Sequence, residues 1–83
     1  MTFELYKQVA LARAIPVDRL RKGDIATVVD RHPSPEAGGE EGYSLEVFNA
    51  IGETITVTVV PESAIEPLRE DQVFSVRLLA KTA

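Results

Sequence analysis

The sequence predicts an all-β fold, a small barrel or strongly bent sheet of five or six short strands. Three observations predict it. Apolar and polar residues alternate with a period of two in several runs, turn-forming residues punctuate the chain every eight to twelve positions, and no run long enough for an amphipathic helix carries the helical period. A chain of 83 residues makes one domain, taken as residues 1–83. A chain this short buries only about 60–65% of its unfolded surface, so pairing with a second copy would add stability.

The elements follow in order. Residues 5–12 hold Leu5, Val9 and Leu11 at one parity and form a strand, which ends where Pro16 fixes φ and lacks a donor. Lys22-Gly23-Asp24 is a turn. The next strand, residues 25–29, is apolar at both parities, which points to a bulge or to burial on two sides. Residues 32–42 carry Pro33, Pro35, Gly38, Gly39, Gly42 and three glutamates and have too little apolar surface to offset ordering entropy, so a mobile loop is expected there. Tyr43, Leu45 and Val47 face inward on the following strand, with Ser44, Glu46 and Phe48 outward. Asn49-Ala50-Ile51-Gly52 closes a hairpin, its glycine supplying a positive φ. In residues 54–59 the β-branched residues alternate, placing Ile55, Val57 and Val59 in the core and Thr54, Thr56 and Thr58 outside. Residues 61–64 form a tight or 3₁₀ turn before a short strand at 65–68. A last strand is predicted over residues 73–79, with Phe74, Val76 and Leu78 on one face. The predicted core is Val9, Leu11, Ile25, Leu45, Val47, Ile55, Val57 and Val59. The entry through turn, Gly, Asp and strand over residues 20–29 suggests that the barrel is SH3-like.

Charge is divided along the chain. Residues 1–31 carry six basic and four acidic side chains, residues 32–71 nine acidic side chains against Arg69 alone, and residues 72–83 only Arg77 and Lys81, for a total of −4. The middle is an acidic surface, net −8 by that count, which would steer the protein toward a basic partner.

The run Leu20-Arg21-Lys22-Gly23-Asp24-Ile25-Ala26-Thr27-Val28-Val29 resembles the signature of a bacterial family catalogued as domain of unknown function 4926. Val9-Ala10-Leu11 ahead of Pro16, residues 43–48 followed by Gly52, and residues 73–79 with Val76-Arg77 are similar to that family in the same order. The family pattern carries a glycine where this chain has Ala26. The resemblance implies a small SH3-like β-barrel and brings no catalytic residues. Similar proteins look like companions of toxin-type or nuclease-type proteins, so it also implies an antitoxin-like or immunity-like role.

The residues themselves offer little chemistry. Without cysteine there is no disulfide, thiolate nucleophile or thiolate metal site, a composition compatible with the cytoplasm. No membrane-spanning run or signal peptide is visible, and the expectation is a soluble cytoplasmic protein. His32 is the only histidine and reads as a solvated loop residue. Glu36, Glu40 and Glu41 lack the spacing of a calcium loop, and no serine lies in a nucleophile elbow. No metal, cofactor or catalytic residue is assigned.

Two surfaces are candidates. Glu46, Phe48, Ile51, Glu53, Thr54 and Thr56 combine apolar, β-branched and acidic side chains in the manner of a protein-contact patch, which suits another protein with a basic surface. Arg19, Arg21 and Lys22 are the alternative, a nucleic-acid loop resembling the turn of KOW and Tudor modules. Asp18, Asp24 and Asp30 interleave with the basic residues there, and the net charge repels polyanions, so nucleic acid is disfavoured.

Overall fold

The computed structural model describes residues 3–79 and is all-β. Five antiparallel strands, β1 (Gln8–Leu11), β2 (Ile25–His32), β3 (Gly42–Phe48), β4 (Thr54–Pro61) and β5 (Ile65–Pro67), form one sheet in the order β4-β3-β2-β1-β5. Two 3₁₀ turns, Pro16–Asp18 and Glu62–Ala64, join β1 to β2 and β4 to β5. The ladder stays open between β4 and β5, so hydrogen-bonded strands do not complete the expected barrel.

Local chemistry accounts for the turns. At Lys22-Gly23-Asp24, Gly23 takes φ +91°, its N–H donates to the Leu11 carbonyl, and the Asp24 carboxylate accepts the Arg21 N–H at 2.7 Å. In the β3–β4 hairpin the Asn49 carboxamide oxygen accepts the N–H groups of Ile51 and Glu53, and Gly52 adopts φ +87°. The bulge expected in β2 lies between Val28 and Asp30. β1 is shorter than expected: Tyr6 sits at φ +64° with its N–H on the Val28 carbonyl, the strand starts at Gln8, and Leu5 is exposed.

One side of the sheet is packed. Leu11, Val28, Tyr43 and Leu45 are its largest wholly buried side chains, with Phe3, Val9, Leu20, Ala26, Val47, Val60, Ala64 and Ile65 around them. The Phe3 ring meets Tyr43 edge-on at 5.5 Å, and the Tyr43 hydroxyl accepts the Phe3 N–H and donates to Glu41. Burial raises the Tyr43 phenol above its ordinary value. The Phe3 N–H opposes that shift, and the Glu41 carboxylate adds to it.

Four of the eight predicted core residues, Val9, Leu11, Leu45 and Val47, are buried, whereas Ile25 and Ile55 are only partly so. Val57 and Val59 face outward, reversing the expected facing of β4. The register explains why. Phe48 pairs with Thr54, but Val47 pairs with Thr56, so Ile55 is an extra residue in β4. With a side-chain period of two, one extra residue moves every later side chain to the other face. Thr56, Thr58 and Val60 therefore lie opposite the inward Val47, Leu45 and Tyr43, and Val57 and Val59 lie beside the outward Glu46 and Ser44.

The predicted strand at 73–79 is absent. Residues 68–79 join no ladder, and Val73, Phe74, Val76 and Leu78 are exposed. Alternation marks a segment able to be a strand, but a strand also needs an edge to pair with, and this segment does not reach one in its own chain.

Candidate functional site

Two surfaces emerge from this fold. The first is the outer side of the β3–β4 ribbon. Phe48 stands beside Thr54, Glu46 beside Val57 and Ser44 beside Val59, while the ladder places Thr27 of β2 on the other side of Glu46. Phe48 is 41% exposed, Val57 58%, Val59 64% and Ile51, at the hairpin tip, 80%. Carboxylates border this apolar strip: Glu46 accepts a hydrogen bond from the Thr54 hydroxyl, and Glu53 accepts one from the Asn49 amide at 2.9 Å.

Glu46, Phe48, Ile51, Glu53 and Thr54 come together as the sequence predicts. Thr56 does not, because the extra residue at Ile55 turns it inward, where its hydroxyl donates to Asp18 at 3.2 Å. Val57 and Val59, which the alternation assigns to the core, stand on the outer side in its place. The signal for them was the doublet Val59-Val60, which leaves apolar residues at both parities near the end of the strand.

The second surface surrounds the turn at 21–24. Arg21 and Lys22 are exposed and line an open groove of about 970 Å³ together with Ala26, Val47, Phe48 and Ile55 on the sheet side and Phe74 and Val76 on the C-terminal segment. Arg19 ends the first 3₁₀ turn at φ +58°. The Arg77 guanidinium holds the segment in place: it forms a two-pronged ion pair with the Asp24 carboxylate and reaches the Arg19 carbonyl. Burial by itself would raise the pKa of Asp24. The hydrogen bonds from Arg77 and the Arg21 N–H, with the charges of both arginines, outweigh it and hold the carboxyl below its ordinary value of 3.8, and the same contact raises Arg77.

A pH dependence follows. A carboxyl whose pKa is lower in the folded chain stabilises the fold above its unfolded value and loses that contribution as pH falls through the folded value. In the single-chain form, where Arg77 pairs with Asp24 of its own chain, Asp24→Asn is expected to lower Tm at pH 7 by about 4–8 °C, corresponding to about 1 kcal/mol. In thermal melts the difference between the two proteins should begin to shrink near the ordinary carboxyl value of 3.8 and vanish only at lower pH, once the wild-type carboxyl is protonated in the folded chain as well. A constant difference down to strongly acid pH would show that shape rather than charge holds this turn.

The remaining ionisable residues are dispersed. His32 is exposed and shares a hydrogen bond with the Ser44 hydroxyl at 2.7 Å. Hydrogen bonds from the Ser63 side chain and from its N–H pull the Glu40 carboxyl below the ordinary value, and Glu41 lies between the Tyr43 hydroxyl and Arg31. Among the described residues no three of His, Cys, Asp and Glu gather as a metal group would require, and no helix is long and apolar enough to cross a membrane.

The described residues thus form an open all-β sheet with an apolar, acid-bordered ribbon on one side and a basic turn beside a groove. The chain belongs to the family described as Domain of unknown function (DUF4926), whose pattern matches residues 5–67. No curated protein matches the chain. No solved structure matches it either.

Proposed function

We propose that this protein is a non-catalytic protein-binding module whose contact surface is the outer β3–β4 ribbon: Phe48, Ile51, Val57 and Val59 bordered by Glu46 and Glu53. The observation that carries this reading is the reversal in β4, which takes two valines from the predicted core and presents them beside Phe48. An apolar centre with a charged rim is the composition of a protein interface, and the rim here is acidic. The partner is a protein with a basic surface. A role as an antitoxin-like or immunity-like companion of a toxin-type or nuclease-type protein fits that chemistry, since nucleic-acid-handling proteins present basic surfaces.

One observation favours a second reading, a KOW-like nucleic-acid module: Arg21 and Lys22 share a groove with the aromatic rings of Phe48 and Phe74, the combination that tracks a backbone and stacks bases. Filter binding of mixed-sequence DNA and RNA at low salt separates the two, because screening is weakest there and even non-specific phosphate contacts register. No retention is expected. Binding at micromolar concentration that Arg21→Ala and Lys22→Ala abolish would replace the protein-partner reading with the nucleic-acid one.

A further inference from the structure

The two edges of the sheet are unlike. β5 is three residues long and carries Glu66 and Pro67, features that discourage pairing with another strand. β4 is eight residues long, without a charged residue and with proline only at its last position, so its outer row of backbone donors and acceptors is an open template. The chain also holds a strand without an edge. Residues 73–79, Val-Phe-Ser-Val-Arg-Leu-Leu, have the composition and alternation of a strand and contain neither glycine nor proline. They join no ladder, an open groove separates much of the segment from its own sheet, and Val73, Phe74, Val76 and Leu78 are all at least 70% exposed. The ion pair of Arg77 with Asp24 anchors them at the foot of β2. The family match ends at residue 67, before this segment begins.

We propose that the open edge of β4 is completed by residues 73–79 of a second copy of this chain, each copy giving its segment to the other in a closed two-fold dimer. The lengths agree, seven residues against eight. The charges also agree: residues 32–71 carry nine acidic side chains and one basic, whereas residues 72–83 carry two basic and no acidic ones. In the added strand Phe74, Val76 and Leu78 share the inner side and extend the apolar layer beyond Thr56 and Thr58. Arg77 emerges on the outer side, exchanging its contact with Asp24 for the field of the partner subunit's Glu46. A reciprocal exchange is isologous and closes on itself, so the open edge does not propagate into a fibre. The partner reading above concerns the outer face of the ribbon, and the exchange concerns its edge, so either stands without the other.

Light scattering coupled to size exclusion tests the exchange on the protein alone, with no partner present. The full chain is expected to elute at twice the 9.1 kDa of a single chain. The dimer should persist at about 0.5 M salt, where charges are screened beyond about 4 Å, because ladder hydrogen bonds and apolar burial hold it. Val76→Pro removes a ladder donor and Leu78→Asp places a charge on the inner side. Both side chains are exposed and neither residue joins a ladder of its own chain, so each variant is expected to keep the wild-type far-ultraviolet circular dichroism and to elute at the single-chain mass. A single-chain mass for the wild type at every concentration overturns the proposal, as does a dimer that survives both substitutions, which would instead indicate β4 pairing with β4. Loss of basic-partner binding with the dimer intact would count against the proposed function and leave the exchange standing.

Discussion

Leu45→Ala is expected to destabilise the protein by about 2–5 kcal/mol, whereas Val57→Ala and Val59→Ala should change its stability by no more than about 0.5 kcal/mol. All three are large aliphatic residues in neighbouring strands, and the inward alternation read from the sequence assigns them the same fate. The structure separates them. Leu45 is wholly buried on the inner side of β3, and its truncation removes transfer energy and leaves a cavity. The two valines stand on the outer side of β4, more than half exposed, with little packing to lose. Because a small domain has only about 5–15 kcal/mol in total, the leucine variant should be visibly closer to unfolding in urea. A loss of about 2 kcal/mol or more for Val57→Ala would mean that β4 has the opposite facing and would remove the apolar strip on which the proposed interface rests.

Glu46→Lys and Glu53→Lys together are expected to slow association with a basic partner about tenfold or more at low ionic strength while leaving the dissociation rate nearly unchanged. Both carboxylates border the ribbon and neither is buried, so their contribution is to the approach of the partner more than to the grip of the complex. Raising the salt should close the gap between variant and wild type, since screening shortens the reach of the field. Stopped-flow or surface-binding kinetics on a partner co-purified from the native cell give both rates. An effect confined to dissociation, or one insensitive to salt, would place these carboxylates inside the contact and contradict the steering argument.

Much of this architecture is legible in the residues because it is set locally. Gly52 and Asn49 specify the β3–β4 turn, Gly23 and Asp24 the turn before β2, and the alternation from Tyr43 to Phe48 the facing of β3, each through interactions within a few positions. The second 3₁₀ turn, Glu62–Ala64, falls where the proline and the polar pair predict it. What escaped prediction depends on distant partners. The inner or outer sense of β4 is set by its register against β3, and Thr56, Thr58 and Val60 can line the inner side as readily as Ile55, Val57 and Val59 by pattern alone. The C-terminal run reads as a strand because alternation describes what a segment is able to do, while pairing depends on where the fold leaves it. The placement of the candidate residues follows the same division: Phe48 is outward by the local parity of β3, whereas Thr56 and the two valines lie beyond the irregularity and inherit its shift.

The extra residue at Ile55 separates two questions that sequence comparison usually merges. A relative with an identical run of threonines and valines but no inserted residue would hide the valines and show the threonines, so the two proteins would share a strand letter for letter and present opposite chemistry to their surroundings. In such a family, loss or gain of binding need leave no trace as a substitution; it would appear as a single gap in an alignment, next to the hairpin, where gaps are ordinarily passed over as neutral.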